Sequence, residues 1–131
     1  MSFEARYDGL VEMQSRLAGI RQNILQEATR ELTSFGEDIM KVSKERVPVE
    51  WGILMGTGHA EPATVEGDML SMTIGYGGPA APYALEVHEN MNPNVNWTRP
   101  GSGPKYLEGP VHEMEGDLLP RMREAQPRAF K

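Results

Sequence analysis

The sequence has no cysteine among its 131 residues. This absence excludes disulfide scaffolds, thiolate zinc sites and a cysteine nucleophile, and it fits an intracellular origin. No apolar run approaches the ~20 residues that cross a membrane, and the N-terminus lacks the apolar core of a signal peptide. Basic residues are also few, because 13 Lys and Arg stand against 19 Asp and Glu, for a net charge of −6. That balance argues against a protein whose main activity is to grip nucleic acid.

Glycine, proline and charge are unevenly distributed along the chain. The first 46 residues contain no proline, whereas residues 47–110 hold ten of the 14 Gly and eight of the ten Pro. Residues 47–104 carry six acidic side chains and one basic one, Arg99. The length predicts one domain, 1–131, by the usual prior of roughly 100–200 residues. Within it we predict a helical arm, a β and loop region, a C-terminal helix and a loose tail, at 1–47, 48–110, 111–125 and 126–131.

The first segment has the apolar spacing of an amphipathic helix. Its apolar residues recur in steps of three and four, and Val47-Pro48 ends the pattern because a residue before proline avoids helical geometry. About 38 helical residues span roughly 57 Å, whereas a domain of this size has a radius of gyration of ~14 Å. The helix therefore either breaks, at Gly36 or Gly19, or protrudes and packs on neighbouring subunits. The series is Leu10, Met13, Leu17, Ile20, Ile24, Ala28, Leu32, Phe35, Ile39 and Val42.

The middle of the chain predicts a β-hairpin. Residues 60–65 form a short candidate strand that Pro62 interrupts, residues 66–68 a tight turn, and residues 69–76 a second strand. Residues 83–89 are ambiguous between a strand and a helical turn. The fold class predicted is thus α+β, with a long N-terminal amphipathic helix, a small antiparallel sheet and a C-terminal helix.

Two further segments complete this prediction. Residues 90–104 read as a long loop, of the kind that is usually functional or mobile inside a compact domain. The C-terminal helix contains Pro120, so a kink or an early stop is expected there.

The three histidines, His59, His88 and His112, are the candidates for metal or acid–base chemistry. His88 and His112 are each followed by a glutamate, Glu89 and Glu113. The zinc-protease pattern needs a second histidine four residues after the first, and Asn92 and Gly116 stand there instead. Surface or interface histidines are the favoured interpretation, and we predict no catalytic, metal or cofactor residue. A metal-dependent hydrolase that uses His88, Glu89 and His112 remains an alternative.

The order of several short motifs carries a family resemblance. The long helix is followed by Val47-Pro48-Val49-Glu50-Trp51-Gly52-Ile53-Leu54, and the hairpin ends in Thr73-Ile74-Gly75-Tyr76. The segments Pro82-Tyr83-Ala84-Leu85-Glu86-Val87-His88-Glu89 and Lys105-Tyr106-Leu107-Glu108-Gly109-Pro110-Val111 come next. Over residues 20–125 this order resembles the neck, or tail-completion, proteins of long-tailed bacteriophages, also called head–tail connector or minor capsid components.

The resemblance implies a virion structural protein without catalysis. It implies a homo-oligomeric ring, a hexamer, that contacts neighbouring neck and tail proteins, lets the genome DNA pass without specific binding and involves no membrane. The location implied is the virion, after assembly in the host cytoplasm. A soluble oligomeric adaptor or regulator with an N-terminal dimerising helix is a further alternative.

Two sets of residues follow as hypotheses. In a ring, acidic side chains facing the lumen would repel DNA phosphates and keep the genome from sticking. We assign this role to Glu61, Glu66 and Asp68. Contact between subunits is assigned to the long helix and to aromatic residues of the middle region, with loops 77–82 and 90–104 touching adjacent rings. The interface residues are Leu17, Ile24, Phe35, Trp51, Tyr83, Trp97 and Tyr106.

Overall fold

The computed structural model describes residues 1–48, 52–67, 69–78, 84–91 and 103–130, with the backbone alone for residues 52, 53 and 86. It has the α+β architecture that the sequence predicts. The helices are α1 (Leu10–Arg46), α2 (Gly52–Gly56), α3 (Ala84–Glu89), α4 (Glu108–Met114) and α5 (Leu118–Ala125), and the strands are β1 (His59–Ala60), β2 (Thr64–Glu66), β3 (Met69–Ser71) and β4 (Ile74–Gly75).

Helix α1 is continuous over its 37 residues, which corresponds to a length of about 56 Å. It follows Gly9, whose φ of 94° lies in the left-handed region, and it ends at Val47 in extended geometry. Gly36 does not break it, because packing holds the helix at this point: a Cβ on Gly36 would meet the Met72 sulfur at 2.3 Å. The helix therefore extends beyond the rest of the chain, and its buried residues all lie in its second half.

The four strands form one interrupted hairpin. His59 pairs with Gly75 in the β1–β4 ladder, and Thr64 pairs with Ser71 in the β2–β3 ladder. Between the ladders, residues 61–63 face only residues 72 and 73, so the register shifts by one residue as at a β-bulge. Pro62 lies in this shift, where its missing N–H breaks no ladder hydrogen bond. Gly67, with φ at 61°, occupies the predicted turn.

The core lies where α1 ends against α2, α3 and the start of α4. Its buried members are Val47, Leu54, Ala84, Val87 and Tyr106. Tyr106 is 2% exposed and its hydroxyl donates to the Ala84 carbonyl at 2.8 Å. Burial raises the pKa of Tyr106 to about 12. Residues 84–89, ambiguous in the sequence, are helical because Ala84 and Val87 turn to this same core.

Tyr76 links the hairpin to this core. Its ring stands edge-on to Tyr106 at 5.0 Å between centroids, and its hydroxyl shares a 2.8 Å hydrogen bond with the buried Ser43 of α1.

The C-terminal helical region begins at Glu108 rather than at 111. Pro110 stands in the first turn of α4, where a proline costs no helical hydrogen bond. The interruption expected from Pro120 is present as the 3-10 turn Glu115–Asp117 before α5. The proline ring would clash with the carbonyl of residue 116 in a continuous helix, which accounts for the position of the break.

The expectation of a loose tail at 126–131 is wrong for residues 126–130. Gln126–Phe130 forms a 3-10 helix that packs on α1, and Ala129 is 1% exposed. The Arg128 guanidinium donates to Glu27 and Glu31 of α1, both at 3.1 Å. Sequence periodicity missed this contact because its partners lie about a hundred residues away along the chain.

Among the residues that the structure describes, no helix combines the length and the apolar character that a membrane span requires.

Candidate functional site

The first half of α1 carries an exposed apolar strip, which we call the seam. Four of its members, Leu10, Met13, Leu17 and Ile24, are exposed by 51%, 44%, 57% and 37%. The fifth, Ile20, is partly buried. Large exposed apolar patches on a folded chain usually mark contact surfaces. The seam is therefore the candidate functional surface of this structure.

The seam ends where the C-terminal region begins to cover the same side of α1. Arg121 donates to Glu31 at 2.6 Å and to Asp38 at 2.9 Å, and Arg128 reaches back to Glu27. The hydrogen bond from Arg121 holds the pKa of Glu31 below its usual value. Within the described residues these contacts reach no further toward the N-terminus than a small cleft at Ile24. From Ile24 to Leu10 most of the apolar side of the helix is exposed, and the Tyr7 hydroxyl contacts it at the Met13 sulfur, 3.7 Å away.

The predicted interface residues separate into three groups. Leu17 and Ile24 lie on the seam, in positions that suit contact with another molecule. Phe35 and Tyr106, by contrast, are 6% and 2% exposed, so the expectation that they contact a second subunit is corrected. Phe35 packs beneath the Arg121 guanidinium, 5.3 Å from its ring centroid, and Tyr106 belongs to the core. The remaining three lie outside the described residues: Trp51, Tyr83 and Trp97.

The predicted acidic residues lie on the hairpin. Glu61 and Glu66 are both exposed, and Asp68 lies outside the described residues. Strand β2 is exposed along its whole length, so Glu66 stands in solvent near the tip of the hairpin. The carboxylates of Glu61 and Glu66 are thus placed where they can project a negative field into solvent.

The structure also brings three predicted chemical residues together with two that sequence reasoning missed. His88 and Glu89 at the end of α3 meet Lys105 and Glu108 at the start of α4. His112 joins this cluster through Glu108, 3.3 Å away. One ligand atom from each of His88, Glu89 and Glu108 lies within 4.8 Å of the others, a spacing that could hold a metal ion.

Lys105 occupies the position that a cation would take in this cluster. Its ammonium group forms ion pairs with Glu89 and, at 3.1 Å, with Glu108. The hydrogen bonds from Lys105, with a smaller one from His88, lower the pKa of Glu89. Lys105 and then His112 lower the pKa of Glu108, and the two glutamates raise the pKa of Lys105. Both carboxylates of the cluster are thus paired with the same ammonium group, so a metal ion would have to displace the lysine.

Both ring nitrogens of His88 are already engaged. Its Nε2 accepts the backbone N–H of Glu108 at 3.1 Å, so its Nδ1 carries the proton toward Glu89 at 2.9 Å. Lys105 also donates its backbone N–H to the His88 carbonyl at 2.7 Å, from a left-handed φ of 57°. We name these four residues, His88, Glu89, Lys105 and Glu108, the clasp. The contacts of the clasp join α3 to α4, and they account for the His88-Glu89 pair that stands out in the sequence. The second pair, His112-Glu113, is divided, because Glu113 forms an ion pair with Arg46 instead.

A mainly apolar cleft of about 300 Å³ lies beside the clasp, between Tyr76, Leu85 and Leu107. His88 and Glu89 are the only members of the clasp that line it. His88 and Glu89 are hydrogen-bonded to each other. The described lining of the cleft contains no serine, threonine or lysine that could act as a nucleophile. The cleft is therefore suited to take an apolar group.

No family model, curated protein or solved structure matches the chain. A functional proposal therefore rests on the arrangement of the chain's own residues and on the order of motifs in its sequence. The two main features of that arrangement are the exposed seam on α1 and the clasp, in which Lys105 pairs with two glutamates.

Proposed function

We propose that this chain is a structural protein of a bacteriophage virion, a neck or tail-completion component that forms a ring between the tail and the head connector. The single observation that carries the proposal is the seam. A helix of 37 residues exposes large apolar side chains over its first half, and such a surface usually marks the place where another molecule binds. A subunit completed by its neighbours has this property.

The order of motifs supports the choice of assembly. The long helix, the hairpin, the short helix at 84–89 and the C-terminal helical region follow one another as in the neck proteins that the sequence resembles. In the proposed ring, a hexamer, exposed acidic residues such as Glu61 and Glu66 face the lumen and keep DNA phosphates from binding. The neighbouring partners are other neck and tail proteins.

The clasp weighs against the hydrolase alternative. A hydrolytic metal needs deprotonated ligands and an open coordination position. In the described residues His88 has both nitrogens hydrogen-bonded, and Lys105 forms ion pairs with Glu89 and Glu108. We therefore assign no catalytic step to this chain.

The test is electron microscopy of assembled particles, with the chain located in the density. We expect a ring of identical copies at the head-proximal end of the tail. Density for this chain elsewhere in the particle, or none at all, contradicts the proposal. Replacing Glu61, Glu66 and Asp68 by glutamine should leave the ring intact and slow DNA passage, and unchanged ejection kinetics count against the lumen assignment.

A further inference from the structure

The spacing of the seam is that of a helix–helix contact. Leu10, Met13, Leu17, Ile20 and Ile24 follow one another in steps of three, four, three and four. This is the heptad pattern, in which Leu10, Leu17 and Ile24 take the a positions and Met13 and Ile20 the d positions. Helices with this pattern bury the a and d side chains against a second helix of the same kind. The spacing thus favours a helical occupant over a flat or concave one.

Charge at the edges of the seam decides how two such helices can pair. Residues 13–26 contain two arginines and no acidic residue. Arg16 takes a g position and Arg21 the following e position. In a parallel pair these positions lie opposite each other, so Arg16 of one copy would face Arg21 of the other, and the like charges would repel.

An antiparallel pair removes this conflict. There g positions face g positions and e positions face e positions. With Leu17 of each copy set against Ile20 of the other, Arg16 faces Asn23 of the second copy. In the same register Arg21 faces Gln14 of the second copy, and both arginines oppose neutral amides.

We propose that two copies of this chain pair antiparallel along the seam, with Leu17 against Ile20 and Met13 against Ile24. This inference goes beyond the proposed function, because a twofold antiparallel pair closes at two copies. A ring would then have to join such pairs through other surfaces, or form after the pairs separate. The pair also covers the apolar surface that a single copy would present to water. Two heptads make a short contact, so we expect an association that depends on concentration.

The first experiment measures molar mass by light scattering over a range of protein concentrations. We expect the mass to rise toward twice the 14.6 kDa of the chain. Leu17→Glu places a charge in the seam and should hold the protein at the monomer mass. Ser15→Glu is the matched control, because residue 15 lies on the opposite side of the helix, and it should associate as the parent does.

The second experiment determines direction by disulfide cross-linking, which is clean because the chain has no cysteine. In the proposed pair Met13 faces Ile24 of the other copy, and the two Met13 residues lie about 16 Å apart along the helices. Met13→Cys and Ile24→Cys should therefore cross-link when they are mixed and fail to do so separately.

Three results would overturn the inference. Self-linking of Met13→Cys indicates parallel pairing, and a monomer at every concentration indicates that a different protein covers the seam. An oligomer whose mass is the same for Leu17→Glu and Ser15→Glu indicates contact through another surface. The proposed function is contradicted by a different result, namely particles that contain no ring of this chain. That result would leave the inference of antiparallel pairing in solution unaffected.

Discussion

The Arg121 guanidinium meets the Glu31 carboxylate at 2.6 Å, and the two residues lie 90 positions apart in the chain. The contact secures α5 to α1, since the same guanidinium donates to Asp38 and to the Ser34 hydroxyl and covers the Phe35 ring.

Replacing Arg121 by methionine should therefore destabilise the protein. Methionine keeps the apolar stem but leaves Glu31 without its strongest donor, and hydrogen bonds to charged groups contribute roughly 1.5–3 kcal/mol. We expect a loss of about 2 kcal/mol in the free energy of unfolding, measured in urea. Arg123→Met is the control, because Arg123 is exposed and no ion pair is described for it. Equal stability of the two variants would mean that the Arg121 contacts contribute nothing.

Acid should weaken the same contact. The hydrogen bond from Arg121 lowers the pKa of Glu31 in the folded protein. The ionised form of Glu31 is therefore more favourable in the folded protein than in the unfolded chain. The stabilisation is complete above the unfolded pKa and is lost as the pH falls through the folded pKa. We expect the parent protein and Glu31→Gln to differ most at neutral pH and to converge below about pH 4.

The pH dependence is measured as urea midpoints across this range. Glu66→Gln removes an exposed carboxylate on the hairpin, and it should follow the parent at every pH. A difference between the parent and Glu31→Gln that is constant with pH would contradict the assignment.

Two nearby glycines, Gly56 and Gly58, should differ in how a methyl group changes the stability of the protein. A Cβ on Gly58 would lie 2.7 Å from the Tyr76 ring and 2.7 Å from the Lys44 side chain, whereas a Cβ on Gly56 meets nothing within 4 Å. The Tyr76 ring is held by Ser43 and cannot move freely. Gly58→Ala should therefore cost about 1–3 kcal/mol by overpacking.

Gly56→Ala serves as the control and should change stability by less than about 0.5 kcal/mol. Thermal melts of both variants measure the difference. A neutral Gly58→Ala would show that the hairpin can shift away from α1 without cost.

Lys105 has a left-handed backbone and also supplies the positive charge of the clasp. Two substitutions distinguish the effect of the backbone on stability from that of the charge. Lys105→Ala and Lys105→Gly both remove the ammonium group, but glycine adopts the φ of 57° without steric cost. We expect both variants to melt below the parent and the glycine variant to melt above the alanine one. The reverse order would show that the left-handed backbone does not persist at this residue.

Removal of the ammonium should also change the response of the clasp to metal. In the parent, Lys105 competes with any cation for Glu89 and Glu108, so we expect no stoichiometric zinc by elemental analysis. In Lys105→Gly the three candidate ligands lose that competitor, and zinc should raise the melting temperature of this variant more than that of the parent. Zinc bound stoichiometrically by the parent would reopen the hydrolase alternative.

Local sequence signals predicted the elements that local physics determines. The three-and-four spacing predicted α1 from Leu10 onward, and Val47-Pro48 predicted its C-terminal end, because helical periodicity and the effect of proline depend only on neighbours along the chain. The turn at Gly67 and the break near Pro120 followed from the backbone properties of glycine and proline. The class of fold was thus available from the sequence alone.

Contacts between distant residues could not be predicted in this way. Phe35 lies on the same apolar series as Leu17, and spacing gives no means to tell that one is covered by Arg121 and the other exposed. The clasp escaped detection because Lys105 is an unremarkable residue in sequence, and only the fold brings it to Glu89. The histidine–glutamate pairs attracted the metal hypothesis, whereas the residue that closes the cluster carried no signal.

The unsupported half of α1 should be the least protected helical part of the molecule in hydrogen exchange. Helices without tertiary contacts open readily, and Gly19 adds about 1 kcal/mol of unfavourable helix propensity relative to alanine. A Cβ at this position meets nothing within 4 Å, so Gly19→Ala should slow exchange around it by about fivefold. Gly116→Ala, also with open space around it, should leave exchange in this region unchanged. Hydrogen exchange should be measured at low protein concentration, where the copies are separate. Equal protection of the amides of residues 12–24 and 35–43 would contradict the exposure of the seam.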